Sequence, residues 1–215
     1  MSEKVSVRAR FEKFPATVKG AFILRGEDRD PHQVIFGETR AVALGGDVRR
    51  PVPIAAVALD VAPKVDVFVP FELSVADLEP GWYGFECDLD VDGIAGTYPG
   101  GRRFAVAWPR ATVRRGPVNV DRRVDLGGET HVHVGQVECG GDSIRLSLTV
   151  APPGPLTVRL FADDARLEVL ESEADEDSGR IRVLAYPLMK THRTLRVELK
   201  GKGRGAEGAL DVRLP

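Results

Sequence analysis

The stretch VDVFVPFELSV, residues 65–75, alternates apolar and polar side chains along its length. The apolar residues of one parity are Val65, Val67, Val69, Phe71, Leu73 and Val75, and the other parity holds Asp66, Glu72 and Ser74. Because successive side chains of a β-strand point to opposite faces, this pattern predicts a half-buried strand. Pro70 falls on the polar side and has no N–H to donate, which predicts an edge position or a bulge there.

The same alternation recurs along most of the chain. Its clearest further runs are VSVRARF (5–11), RRFAVAW (102–108), SIRLSLTV (143–150), LTVRLFA (156–162), TLRVELK (194–200) and ALDVRLP (209–215). The run ARLEVLESEADE (165–176) fits either a helix or a strand, and we favour a strand because its neighbours are strands. The sequence therefore predicts an all-β chain.

A change of pattern divides the chain in two. In WPRATVRRGPV, residues 108–118, a strand ends at a proline, a basic polar stretch follows, and a second proline precedes a new alternating run. We therefore expect two β-sandwich domains in tandem, immunoglobulin-like in the broad sense, over residues 1–112 and 117–215. Both halves end with a strand, a Gly-rich turn, a further strand and a proline. An internal duplication explains this likeness, and so do two hairpins with similar chemistry.

Within the first half, ADLEPGWYGFEC (76–87) resembles the tyrosine corner of immunoglobulin-like sandwiches through Asp77, Gly81 and Tyr83. In that corner, the hydroxyl of a Tyr near the start of a late strand bonds to backbone a few residues earlier. The chain departs from the immunoglobulin pattern because Phe85 stands where a Cys would be expected. The resemblance implies a sandwich fold and no particular function.

The composition is that of an ordinary globular protein, with 43% hydrophobic and 29% charged residues. The 30 basic and 32 acidic residues give a net charge of −2, so we expect neither nucleic acid nor a membrane as a partner. No apolar run suits a signal peptide or a membrane span. The two cysteines, Cys87 and Cys139, fit buried thiols in a reducing compartment. We therefore expect a soluble, cytoplasmic protein.

The motif DLDVDG, residues 88–93, begins like an EF-hand calcium loop. The bidentate Glu that should close such a loop is replaced by Pro99. The strand register also places Asp88 and Asp90 towards solvent and puts Asp92-Gly93 where a hairpin turn is needed. Calcium binding is therefore not expected.

A second motif, GRGAEG (203–208), satisfies the G-x-G-x-x-G pattern of dinucleotide-binding proteins. That pattern works through a helix N-terminus, which receives the pyrophosphate. Here strand-like residues follow, so a hairpin loop is the better interpretation. No G-x-S-x-G, H-E-x-x-H, P-loop or C-x-x-C motif occurs. We expect no cofactor, and an enzyme is less favoured than a binding protein.

The stretch ETHVHVGQVEC (129–139) is a candidate metal site. Glu129, His131 and His133 share one parity, so they project from one face of a strand and could ligate a transition metal with a further ligand from elsewhere. Solvated strand histidines are the favoured alternative. Val137 breaks the parity of the preceding valines, which predicts a bulge at Gly135 that leaves the histidines outside.

The leading functional hypothesis is a non-catalytic protein-interaction or scaffolding protein. It would bind a protein partner, or a second copy of itself, through strand edges or loops. The candidate surfaces are the loop LRGEDRDPH (24–32), with Asp28, Asp30 and His32, and the region of Trp82 and Tyr98. The alternatives are a metal-dependent protein centred on the histidines above, and a small-ligand or carbohydrate site on the two aromatic residues.

Overall fold

The structure is a computed structural model that describes residues 4–46, 48–201 and 206–215. The described residues form strands, turns and irregular segments without a helix, which confirms the all-β prediction. Accordingly, no described helix is long and apolar enough to cross a membrane. Residues 202–205 of the G-x-G-x-x-G stretch lie outside the described residues. The chain divides into two compact units, Met1–Val106 and Ala107–Pro215.

The described part of the first unit consists of antiparallel strands in two sheets. In chain order these strands are β1 Val5–Lys13, β2 Thr17–Gly26, β3 His32–Ala43, β4 Arg49–Val52, β5 Val57–Val61, β6 Asp66–Ser74, β7 Gly81–Val91, β8 Ile94–Pro99 and β9 Phe104–Val106. The smaller sheet has the order β1-β2-β6. The larger has the order β4-β3-β7-β8, with β5 also paired to β3 and β9 also paired to β7.

The second unit is likewise built from antiparallel strands in two sheets. Its described strands are β10 Gly116–Gly127, β11 Thr130–Cys139, β12 Ile144–Ala151, β13 Leu156–Ala162, β14 Ala165–Leu167, β15 Val169–Asp175, β16 Arg180–Ala185, β17 Thr194–Gly201 and β18 Glu207–Arg213. One sheet has the order β10-β11-β12-β16-β15, and the other has the order β14-β13-β17-β18. The strand interpretation of residues 165–176 is thereby confirmed.

Each unit has its own hydrophobic core, to which both of its sheets contribute. In the first unit, Phe22 of β2 packs on Phe71 of β6 with ring centroids 4.6 Å apart, and on Phe85 of the other sheet at 5.3 Å. These separations are typical of favourable aromatic pairs. The core of the second unit is mainly aliphatic. Its largest fully buried side chains are Leu126, Ile144, Leu146, Leu160, Leu188, Leu195 and Leu199.

Two local predictions from the sequence are confirmed. Pro70 lies in β6, an edge strand of the three-stranded sheet. In β11 the register shifts between Val134 and Val137, as expected for a bulge at Gly135. Both valines are buried and His133 is exposed, because the extra residue reverses the alternation.

Tyr83 forms the backbone bond expected of a tyrosine corner. Its hydroxyl donates to the carbonyl oxygen of Glu79 at 2.9 Å. The Tyr83 ring is buried and stacks on Phe104 at 5.5 Å between centroids. This contact fixes the chain where it enters β7.

The segment 107–115, which surrounds the expected linker, belongs to the second unit. Val113 pairs with Met189, and the N–H of Arg114 donates to the carbonyl of Leu188 at 2.7 Å. Lys190 returns the bond to the carbonyl of Thr112 at 2.8 Å. These bonds hold the entry to β10 against the segment before β17.

Candidate functional site

A buried histidine ties together separate segments of the first unit. The side chain of His32 is only 3% exposed. Its Nε2 lies 2.7 Å from Oδ1 of Asp28, and its Nδ1 lies 2.8 Å from Oδ2 of Asp92 in the turn between β7 and β8. The expectation that His32 lies in a loop is wrong, because its pairing with Val61 extends β3 to include it. Both ring nitrogens are engaged, so the imidazole itself presents no nitrogen to a partner.

Asp92 connects this histidine to the rest of the unit. Asp92 and Gly93 form the expected two-residue hairpin turn, in which their φ angles are 53° and 81°. The N–H of Gln33 donates to Oδ1 of Asp92 at 3.0 Å, and Nζ of Lys4 lies 3.1 Å from Oδ2. The turn, the start of β3 and the residue before β1 therefore meet at one carboxylate.

The two carboxylates favour the protonated form of His32. A neutral imidazole has only one N–H, whereas two carboxylate acceptors call for two. Hydrogen bonds to Asp92 and then Asp28 raise the pKa of His32 above its ordinary value of 6.5. The bond from His32, followed by that from Lys4, lowers the pKa of Asp92 to about 2. The bond from His32 also lowers the pKa of Asp28. Asp28, His32 and Asp92 thus form a charged cluster, which we call the His32 clamp. Because the imidazole is protonated in this cluster, His32 is not available as a general base.

Asp30 stands apart from this clamp. Its N–H donates to Oδ1 of Asp28 at 3.2 Å, which shapes the loop before β3. Its side chain is exposed. Three residues of this loop were predicted to form an interaction surface. Asp28 and His32 contact each other, and the side chain of Asp30 is exposed.

Two aspartates of DLDVDG, Asp88 and Asp92, have separate partners. Asp88 accepts hydrogen bonds from Nη2 of Arg40 at 2.8 Å and from Oγ1 of Thr97 at 2.7 Å. Arg40 also lies 3.7 Å from Glu86, so one guanidinium offsets the charge of this side of β7. Asp92 belongs to the His32 clamp instead. The motif thus contributes to two structural networks.

The candidate metal ligands lie on the solvent side of β11 and at its entrance. Nε2 of His133 is 2.8 Å from Oδ1 of Asp121, and Nδ1 of His131 is 3.4 Å from the carbonyl oxygen of Glu129. Across residues 4–46, 48–201 and 206–215, no three His, Cys, Asp or Glu side chains come together in a way that could hold a metal ion. A metal site at these residues stays a prediction.

Trp82 and Tyr98 lie on opposite sides of the larger sheet in the first unit. Tyr98 pairs with Cys87, which is fully buried, and packs against the core. Trp82 pairs with Ala105 on the other parity and is half-buried. The structure therefore does not bring the two aromatic residues together as one platform.

Both cysteines are buried free thiols. Burial raises the pKa of Cys87 to about 12 and also raises the pKa of Cys139. Since the thiolate is the reactive form, neither residue is activated as a nucleophile.

Apolar residues of β2 and β6 lie side by side on the outer face of the three-stranded sheet of the first unit, half-buried in β2 and exposed in β6. The register places Arg8 beside Ile23 and Ile23 beside Phe68, and the next row holds Arg10, Ala21 and Pro70. Phe68 is 58% exposed, whereas its neighbours Val67 and Val69 turn inward. We call the solvent-facing residues of these two rows the Phe68 face.

Charged residues border the Phe68 face, and their signs differ between its two edges. Asp66 and Glu72 stand on the β6 edge, where they pair with Arg25 at 3.6 Å and Lys19 at 3.0 Å. Arg8 and Arg10 stand on the β1 edge, and neither has an ion-pair partner among the described residues. Across the rows of Arg8 and Arg10 the β1 edge is therefore basic, whereas its next row holds Glu12 beside Lys19, and the β6 edge carries the acidic residues.

The sequence itself carries a signal for the Phe68 face, which is a break in the polar side of the alternation. In VDVFVPFELSV, Phe68 and Pro70 interrupt the polar parity set by Asp66 and Glu72. Two apolar residues at solvent-facing positions of a strand are an exception to the pattern. Such exceptions are more informative about function than the buried positions.

Comparison with known proteins gives no family. No family model matches the chain, and no curated protein matches it significantly. Among solved structures, the crystal structure of the conserved domain protein from Bacillus anthracis is similar at 12% identity and a TM-score of 0.34. The alignment covers 100% of this chain and 89% of that chain. A likeness this weak assigns neither a fold nor a function.

Proposed function

We propose that this chain is a non-catalytic interaction protein that associates with a second copy of itself through the Phe68 face. The observation that carries the proposal is the exposure of Phe68, which is 58% exposed on β6, an edge strand of the three-stranded sheet. Ile23 and Pro70 extend the apolar surface around it. Contiguous exposed apolar residues rimmed by charged residues are typical of interaction sites.

The edge charges favour a second copy as the occupant. In a face-to-face pair with its two-fold axis parallel to the strands, the β1 edge of one copy lies over the β6 edge of the other. Arg8 and Arg10 then face Phe68 and Pro70 of the second copy, with the acidic edge within reach. A guanidinium over the Phe68 ring adds a cation–π contact. In the rows of Arg8 and Arg10 the face is thus complementary to itself.

The area of the Phe68 face indicates how strongly two copies should associate. Three strands about 4.8 Å apart, each about nine residues long at about 3.3 Å per residue, present roughly 400 Å² per copy. Stable interfaces bury about 800 Å² per partner. We therefore expect a weak, concentration-dependent dimer with a Kd above about 10 μM.

We also propose that each unit is a β-sandwich, immunoglobulin-like in the broad sense. Such domains place strands A, B, E and D in one sheet and C, F and G in the other. The orders β1-β2-β6 and β11-β12-β16-β15 correspond to the first set, and the strands β3, β7, β8 and β13, β17, β18 correspond to the second. The bond from Tyr83 to Glu79 adds support. This shared order favours an internal duplication over two unrelated hairpins.

The chemistry of the candidate residues supports a non-catalytic role. His32 is held between two carboxylates, and both thiols are buried with raised pKa values. The free thiols also support a cytoplasmic location, because disulfides are rare in reducing compartments.

Analytical ultracentrifugation over about 10 μM to 1 mM tests the proposed association. The native chain is expected to shift from monomer to dimer, and Phe68→Ser is expected to weaken the dimer by at least about tenfold. Ile94→Ser is the matched control, because Ile94 is 64% exposed on the larger sheet of the same unit. It should dimerise like the native chain. A native chain that stays monomeric throughout, or equal dimerisation by Phe68→Ser, would refute the proposal.

Charge reversal tests the arrangement of the two edges. One variant carries Arg8→Glu with Arg10→Glu, and a second carries Asp66→Lys with Glu72→Lys. Each alone brings like charges together and should be monomeric. Mixed in equal amounts, the two restore opposite charges at both edges and should form a heterodimer. A mixture that stays monomeric while the native chain dimerises would contradict the two-fold arrangement.

A further inference from the structure

We propose that the second unit binds the phosphate group of a small molecule in a concavity lined by Arg110, Arg115 and Lys190. This concavity, of about 460 Å³, is completed by Ala111 and Val113. The proposal is independent of the Phe68 face, which lies in the first unit. We call this feature the basic concavity.

The backbone around the basic concavity is held in place by hydrogen bonds. Thr112 closes a turn by donating its N–H at 2.9 Å and its hydroxyl at 2.8 Å to the carbonyl of Pro109, which positions Arg110. The N–H of Lys190 donates to the carbonyl of Thr112 at 2.8 Å, beside the pairing of Val113 with Met189. These bonds hold the backbone that carries Arg110 and Lys190 in place.

All charged residues in the described lining of the basic concavity are positive. Its lining contains no Asp or Glu, and none of its three cations has an ion-pair partner among the described residues. Arg114 differs, because its guanidinium donates to the carbonyl oxygens of His192 and Pro215. Three like charges in one concavity repel each other, and an anion bound between them removes that repulsion.

Gly141 allows the Arg115 guanidinium to take its position. A Cβ at residue 141 would lie 2.6 Å from Nη2 of Arg115, so a side chain there would displace the guanidinium. The planar guanidinium fork matches the oxygens of a phosphate group, and Lys supplies a compact charge beside it.

The volume and the charge define the ligand class. A concavity of about 460 Å³ exceeds what a single inorganic phosphate fills, and it lies within the range of small-molecule sites. Two arginines and one lysine suit a ligand that carries two or three negative charges. Pyrophosphate and a nucleoside diphosphate both carry a charged diphosphate group, and only the nucleotide has an organic part.

Titration calorimetry of the full chain with inorganic pyrophosphate, and separately with adenosine diphosphate, tests the proposal. Binding of pyrophosphate with a Kd below about 1 mM is expected, with weakening as salt is raised. Tighter binding of the nucleotide would show that the organic part also contacts the chain. Arg110→Ser with Arg115→Ser and Lys190→Ser should weaken binding of both probes by at least tenfold.

Two further variants serve as controls for the loss of charge and for the position of Arg115. Arg166→Ser removes one exposed charge from β14 of the same unit and should bind pyrophosphate like the native chain. Gly141→Ala, which shifts the end of the flexible Arg115 side chain without removing charge, should weaken binding less than the triple variant does. The proposal is refuted if neither probe binds below about 1 mM, or if the triple variant binds as tightly as Arg166→Ser.

Discussion

His32 and Asp92 lie sixty positions apart in the chain, yet Nδ1 of one is 2.8 Å from Oδ2 of the other. The contact joins the start of β3 to the β7–β8 turn, and Asp28 completes it from the preceding loop. We expect His32→Gln to lower the free energy of unfolding by about 2 kcal/mol, because two hydrogen bonds to charged groups are lost from a buried position. Urea denaturation measures the change. His131→Gln is the control and should alter stability little.

The His32 clamp should also give stability a defined pH dependence. The pKa of His32 is raised from 6.5, so its contribution is complete below about pH 6.5 and is lost as pH rises through the raised value. The pKa of Asp92 is lowered from 3.8 to about 2, so its contribution is present above about pH 3.8 and is lost as pH falls towards 2. The stability difference between the native chain and His32→Gln should therefore be largest between about pH 4 and 6.5. A difference that does not vary with pH would contradict the ionised clamp.

Gly20 marks a position where β1 and β2 approach too closely for a side chain. A Cβ there would lie 2.1 Å from the carbonyl oxygen of Arg10. Gly20→Ala should therefore destabilise the first unit by about 2 kcal/mol or more through forced strand separation. Gly154→Ala is the control, because no atom lies within 4 Å of its Cβ position. Equal melting temperatures for the two variants would show that β1 and β2 can move apart at little energetic cost.

Tyr83→Phe should lower stability by about 1 kcal/mol, because the Glu79 carbonyl loses its hydroxyl donor while the ring packing stays. Tyr98→Phe provides the comparison, since it removes a hydroxyl from the same sheet. Chemical denaturation of both variants measures the difference. Equal stability of Tyr83→Phe and the native chain would mean that the corner bond contributes nothing.

Phe68 and Phe71 belong to the same strand but should respond in opposite ways to truncation. Phe71 is buried and contacts Phe22 and Phe85, so Phe71→Ala should cost about 3 to 5 kcal/mol. Phe68 is exposed, so Phe68→Ala should change stability by less than about 0.5 kcal/mol. A large loss for Phe68→Ala would indicate that its ring supports the fold and is not a free surface.

The fold was readable from the sequence wherever one face of a strand is buried. Alternation identified β6, β12 and β17, and the broken parity at Val137 identified the bulge in β11. Burial imposes the period of two, so these segments carry their structure locally. The Asp92-Gly93 turn was also readable, since its residues suit positive φ.

The site contacts were less readable because they join residues far apart in the chain. Asp28 was visible beside His32, but nothing local marks Asp92 as the second partner. The register likewise decides that Trp82 and Tyr98 face opposite ways. The sequence marks the basic stretch with Arg110 and Arg115 only as a boundary between domains, because its relation to Lys190 depends on a pairing between distant segments.

In the proposed dimer, the Phe68 face of one copy lies against the Phe68 face of the other. An isotope-filtered NOE experiment on a mixture of labelled and unlabelled native chain, at about 1 mM, tests it most directly. We expect intermolecular contacts between the ring protons of Phe68 and the side-chain protons of Arg8. Intermolecular contacts confined to other surfaces, or none at a concentration where the chain is dimeric, would contradict this arrangement.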